Sequence, residues 1–146
     1  MYEFQNPTDE RIQAYLATSK TIAVVGLSDK DDSVSKRISK FMQDMGYRII
    51  PVNPRLAGGE ILEEKVYASL SDIPLAIDIV NVFRKKEFLA DVAHEFVTID
   101  ARIFWAQLDL QSQETAAILK EAGCEDVVMN RCIKRDYLRL MSGGVI

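Results

Sequence analysis

Thr21-Ile22-Ala23-Val24-Val25-Gly26-Leu27-Ser28 is the stretch from which the rest of the chain is read. Ile22 to Val25 is an unbroken apolar run with no polar alternation. Such a run suits a strand covered on both faces, as in a parallel sheet between helices. Burying each large side chain is worth about 1.5–3 kcal/mol, so a few of them fix the strand in the core. Gly26 ends the run, and a residue without Cβ lets the backbone turn sharply or approach a ligand. A polar loop, Asp29 to Ser33, leads into a helical pattern. Strand, glycine turn and helix start together form an anion-binding arrangement, because the first helical N–H groups lack partners and point outward.

Outward from that stretch, strand and helix patterns alternate. Ser33 caps a helix to Met45, with Val34, Ile38, Phe41, Met42 and Met45 at helical spacing and Gly46 as its stop. Arg48 to Val52 reads as a second buried strand, followed by the turn Asn53-Pro54-Arg55. Lys65 to Tyr67 reads as a short edge strand and Ser69 to Ile73 as one helical turn. Ala76 to Phe83 is a third apolar run, and Arg84 to Phe96 a helix with Phe88, Leu89, Val92, Ala93 and Phe96 inward. Arg102 to Trp105 and Asp126 to Met129 are strands around a Ser112-capped helix, whose inward residues are Thr115, Ile118, Leu119 and Ala122. Ile133, Tyr137, Leu138 and Met141 mark a closing helix. Ahead of the first strand, Thr8 caps a helix carrying Ile12, Tyr15 and Leu16. Met1 to Pro7 reads as a loose lead-in and Ser142 to Ile146 as a frayed tail.

This alternation predicts one α/β domain over residues 1–146, with a mostly parallel sheet of five to six strands and helices on both faces. The Thr21 strand is placed in the middle. The Arg48 and Lys65 strands lie to one side, and the Ala76, Arg102 and Asp126 strands to the other. The topological switch then falls between the Gly26 loop and the loop after Val82-Phe83, where ligands of open α/β sheets bind.

The 146 residues are 48% hydrophobic and 27% charged, as in a soluble globular protein, and the net charge of -4 excludes the basic footprint of a nucleic-acid binder. No apolar stretch approaches the ~20 residues that span a bilayer. The N-terminus lacks the pattern of a signal peptide, and Cys124 and Cys132 are too few for a disulfide scaffold, so a cytoplasmic setting is expected. The lone His94 reads as a surface helix residue, and no catalytic constellation or metal-ligand set is found. Cys132, beside Arg131 at a helix start, reads as a small buried hydrophobe, with a reactive thiol as the alternative.

A dinucleotide is the first ligand to test. The phosphate loop of NAD enzymes needs three glycines and an acid ending the second strand. Only Gly26 fits, and the second strand ends in Asn53-Pro54-Arg55. Arg55, with Arg37 or Lys36, suits a phosphorylated ribose instead, since a guanidinium pairs bidentately with phosphate. NADP and coenzyme A both carry that group.

Five stretches in order, Ile22 to Ser28, Gly46 to Pro54, Ile77 to Arg84, Trp105-Ala106-Gln107 and Asn130 to Lys134, resemble the signatures of the small single-domain CoA-binding proteins. That family is similar to the N-terminal CoA-binding domain of the succinyl-CoA synthetase alpha subunit. The resemblance covers Ile12 to Leu140 and implies a three-layer, Rossmann-like fold with a site for coenzyme A or an acyl-CoA. By that analogy Gly26, Leu27 and Ser28 lie against the pyrophosphate or adenosine, and Arg37 reaches a phosphate. Asn53, Pro54 and Arg55 border the adenosine end. Val82, Phe83 and Arg84 line the pantetheine side, with Trp105 and Gln107 nearby. Read by residue type alone, Trp105 and Phe83 are equally good core residues, Ser33 a cap and Arg37 part of a solvated helix face. The expected function is reversible, non-catalytic binding of that ligand, with carrier, sensor and regulatory subunit all compatible roles. The alternatives are an NADP-dependent oxidoreductase and a protein-interaction module. Neither a protein partner nor a homo-oligomer is evident.

Overall fold

The computed structural model describes residues 3–141. Five parallel strands form its main sheet: β1 (Thr21–Val25), β2 (Arg48–Val52), β5 (Ile77–Val82), β6 (Ala101–Ala106) and β7 (Val127–Val128), in the order β2-β1-β5-β6-β7. The pairings are in register over their length, Val25 standing opposite both Val52 and Val82. Five α-helices flank the sheet: α1 (Asp9–Thr18), α2 (Val34–Asp44), α3 (Leu89–Phe96), α4 (Gln113–Glu121) and α5 (Ile133–Leu140). This is an α/β, Rossmann-like architecture.

The two faces of the sheet read directly from strand alternation. Ala23, Val25, Ile50, Val52, Val80 and Val82 pack with Leu89, Ala93 and Phe96 of α3 and with Ala116 and Leu119 of α4. Ile22, Val24, Ile49, Ile79 and Trp105 pack with Ile12 and Leu16 of α1, Ile38 and Met42 of α2, and Ile133 of α5. Because both faces are covered, the strands can be apolar throughout, which is why the Ile22–Val25 run shows no alternation. Thr8, Ser33 and Ser112 each cap a helix, accepting from the N–H groups of Arg11, Lys36 and Thr115.

Several expectations are corrected. The central position belongs to β5, and β1 stands second, next to the edge strand β2. The Lys65 segment does not join this sheet. β3 (Glu60–Ile61) and β4 (Glu64–Lys65) form a separate antiparallel hairpin, turned by Leu62 and Glu63 at φ 54° and 67°. Two positive φ values are what a tight hairpin turn demands, so the segment pairs with itself. Tyr67 reaches the sheet edge, its N–H donating to the Pro51 carbonyl (3.0 Å) and its carbonyl accepting from the Asn53 N–H (2.9 Å), with a bridge to Val52.

The helix expected from Arg84 begins at Leu89, after a 3₁₀ turn at Lys86–Phe88. Arg84, Lys85 and Lys86 in a first helical turn would oppose the helix dipole, and the chain stays extended at Lys85 instead. The buried stripe of α2 is Ser35, Ile38, Ser39 and Met42, which leaves Val34 and Met45 exposed. Ala122 and Leu138 likewise face outward. The lead-in is held: the Asn6 side-chain amide donates to the Met129 carbonyl (2.8 Å) and accepts from its N–H (2.9 Å), which satisfies part of the β7 edge. The expected tail, Ser142 to Ile146, lies outside the described residues. Among the described residues no helix is long and apolar enough to cross a membrane.

Candidate functional site

The chain leaves β1 for β2 on one side and returns to β5 on the other, so the strand order reverses between β1 and β5. The tips of these strands are drawn together there. The Gly26 N–H donates to the Val52 carbonyl (2.8 Å), and the Phe83 N–H donates to the Val25 carbonyl (2.8 Å). Gly26 sits at φ +88°, and a Cβ placed on it would stand 2.2 Å from the Phe83 carbonyl oxygen and 3.2 Å from Arg84 Cδ. Glycine is therefore required twice over, by backbone conformation and by the approach of the β5 tip.

A mouth of about 550 Å3 opens over this junction. Gly26 contributes from β1, Asn53 to Arg55 from the end of β2, and Phe83 to Lys85 from the end of β5, with Phe88 beyond. Asn53 braces it. Its Oδ1 accepts from the Arg55 N–H (3.0 Å) and starts the 3₁₀ turn Pro54–Leu56, while its Nδ2 donates to the Leu27 carbonyl (3.0 Å). The loops after β1 and β2 are thus fastened by one side chain. Behind them, Ser35 Oγ accepts from the Ser28 N–H (3.1 Å), which ties the β1 loop to the first turn of α2. Lys36 closes the same loop on Asp31 (2.7 Å) and holds its carboxyl below the usual carboxylate range. Arg55, Arg84 and Lys85 have no carboxylate partner among the described residues. In a chain of net charge -4, that is a local concentration of free cations.

The structure sorts the expected site residues. Gly26, Asn53, Pro54, Arg55, Phe83 and Arg84 meet at the mouth. Ser28 is half-buried behind it, its hydroxyl accepting from the Lys30 N–H (3.1 Å). Leu27, Val82, Trp105 and Gln107 point away. Leu27 and Val82 are wholly buried, Val82 turned into the core by alternation along a doubly covered strand and Leu27 packed into the core from the loop after β1. Trp105 is 0% exposed and its indole N–H donates to the Arg131 carbonyl (2.9 Å). Gln107 Oε1 accepts from the Ile133 N–H (3.0 Å) and so caps α5. None of these four side chains opens into the mouth. Arg37 is exposed on the outer side of α2, in a separate groove of about 370 Å3 with Lys36, Lys40 and Leu62. It is not among the residues that line the mouth.

Lys85 and Phe88 also line the mouth, beyond the site residues that the sequence marks. The run Arg84-Lys85-Lys86 was the available signal, since three cations in succession suit neither a buried helix face nor a helix start. Helical spacing places Phe88 on an inner face, but the helix starts one residue later. Cys132 is half-buried at the start of α5 and outside the mouth, and His94 is exposed on α3. A further cavity, about 320 Å3, lies at the amino ends of β6 and β7 beside Arg102, Cys124 and Asp126. Its Asp126 carboxylate is committed to Arg11 (2.8 Å) and to the Tyr15 hydroxyl (3.0 Å).

A family model described as a CoA binding domain matches residues 20–137. The uncharacterized protein YneT of Bacillus subtilis is 52% identical over 130 residues, spanning 89% of this chain and 94% of its own. A solved structure from Thermus thermophilus superposes with a TM-score of 0.88 at 35% identity, covering 92% of this chain and 100% of the other. A Pyrococcus horikoshii OT3 protein does so at 0.87 and 33%, covering 97% and 99%.

Proposed function

The chain belongs to the CoA binding domain family, and from that premise we propose that it binds coenzyme A or an acyl-CoA reversibly at the mouth between Gly26, Arg55 and Arg84, without transforming it. The observation that carries this reading is the trio of carboxylate-free cations, Arg55, Arg84 and Lys85, at the carboxyl ends of β2 and β5 beside the Gly26 turn. Coenzyme A presents a diphosphate and a ribose phosphate, and charge-assisted hydrogen bonds from guanidinium groups are the natural complement.

The side chains at the mouth support binding rather than chemistry. They are cations, an aromatic pair, a proline and an amide already committed on both sides. None is a base or an activated nucleophile. A cytoplasmic setting fits the two free thiols.

Thermal melts with coenzyme A, acetyl-CoA, NAD, NADP and ATP test the reading. A ligand at a hundred times its Kd stabilises by about 2.7 kcal/mol, which a melt resolves easily. Coenzyme A and acetyl-CoA are expected to raise Tm and NAD to leave it unchanged. A shift with NADP but not coenzyme A would establish the oxidoreductase alternative, and no shift with any of the five would leave protein interaction as the function.

A further inference from the structure

The cavity where β6 and β7 begin lies at the opposite end of the sheet from the mouth. Its volume of about 320 Å3 is at the lower end for a small-molecule site, roughly 300–1,000 Å3. Phe96, Val97 and Ile99 give it an apolar wall, on which Val97 is 37% exposed. A cation and an acid line it as well. Arg102 comes from β6 and Glu125 from just ahead of β7, and paired strands lie about 4.8 Å apart. Neither forms an ion pair with the other or with any described residue. One terminal nitrogen of Arg102 donates to the hydroxyls of Thr18 (3.2 Å) and Ser19 (2.9 Å), which fixes the guanidinium and leaves its other N–H groups without acceptors. The remaining carboxylate, Asp126, is held by Arg11 and Tyr15, so Glu125 is the free acid of the cavity. Helices α3 and α4 both end there, at Val97 and Ala122, and their carbonyl ends favour a positive group.

We propose that this cavity binds an α-amino acid with an aliphatic side chain, its carboxylate on Arg102, its ammonium on Glu125 and its side chain against Phe96, Val97 and Ile99. A zwitterion answers both free charges at once. Its two charged groups sit on one carbon, which suits a cation and an acid on adjacent strands. The free edge of a guanidinium takes a carboxylate, and an ammonium has three donors for Glu125 and the helix carbonyls. An amine without the carboxylate meets Arg102 as a like charge, and an acid without the ammonium meets Glu125 and the two helix ends in the same way. Arg102 and Glu125 are both exposed, so each charged contact is worth about fivefold in affinity, the upper end for an exposed ion pair. The site is separate from the mouth, so it stands whether or not the mouth binds a nucleotide.

Backbone amide NMR titrations of the full chain with leucine, isoamylamine (leucine without its carboxylate) and isocaproate (leucine without its ammonium) test this. Leucine is expected to shift the Val97 and Ile99 amides saturably, and each analogue to bind the wild type about fivefold more weakly. Glu125→Gln should bring leucine and isocaproate within about twofold of each other, and Arg102→Gln should do the same for leucine and isoamylamine. Glu125 is exposed and unpaired, so its substitution leaves the fold intact, and the comparison of the three ligands on the wild type needs no variant. No saturable shift at Val97 and Ile99, shifts confined to the mouth, or either analogue binding the wild type as tightly as leucine would overturn the assignment. A preference for leucine over isocaproate that survives in Glu125→Gln would overturn it too.

Discussion

Gly26→Ala puts the most structure at risk with one methyl group. At φ +88° an L-residue is strained by about 1–2 kcal/mol. The added Cβ also falls 2.2 Å from the Phe83 carbonyl oxygen, a backbone atom that cannot swing aside. Forcing a methyl into packed structure costs a further 1–3 kcal/mol or so. The sum, about 2–5 kcal/mol, is a large part of a typical stability of about 5–15 kcal/mol. For a chain of this length it corresponds to a fall in Tm of roughly 4–20 °C. Gly123→Ala is the matched control, because Gly123 has φ +81° and nothing within 4 Å of its Cβ position, so only the conformational strain applies. Chemical denaturation of both variants isolates the contact: Gly26→Ala should be the less stable by about 1–3 kcal/mol. The thermal shift with coenzyme A should also disappear in Gly26→Ala alone, because the displaced Phe83-Arg84 backbone moves one wall of the mouth. Equal stability of the two variants would refute the close approach of the β1 and β5 tips, and the site built on it.

Three other outcomes follow from the same geometry. Arg55→Ala is expected to weaken coenzyme A by about tenfold, with a shallower dependence of affinity on salt and an unchanged Tm; titrations at two ionic strengths check this. Arg37→Ala should leave coenzyme A affinity within about twofold, as for a surface substitution away from the site, and a tenfold loss would return Arg37 to the ligand. Asp78 contributes to the acid limb: burial raises its pKa, but hydrogen bonds from the Lys20 and Thr21 N–H groups outweigh that and hold it below the usual carboxylate range. A depressed folded pKa adds stability above the unfolded value, near 3.9, that is lost as pH falls through the folded one, so urea midpoints should decline in that window and decline less in Asp78→Asn.

The sequence determined the main strands and helices, where Thr8, Ser33 and Ser112 cap, and that the strand order reverses beside Gly26 and Phe83. These are local facts. Apolar periodicity, a missing Cβ and a hydroxyl three residues before an N–H all lie within one turn or one strand. The tertiary structure decided what depends on neighbours distant in the chain. It set β5 rather than β1 at the centre and folded the Lys65 segment on itself. It also buried Trp105 under Arg131 while leaving Phe88 at the mouth. Periodicity tells which way a side chain turns from its own element, but not which element lies above it. A tryptophan at a strand end and a phenylalanine before a helix look alike until the packing of α5 on one and the open switch beside the other tell them apart.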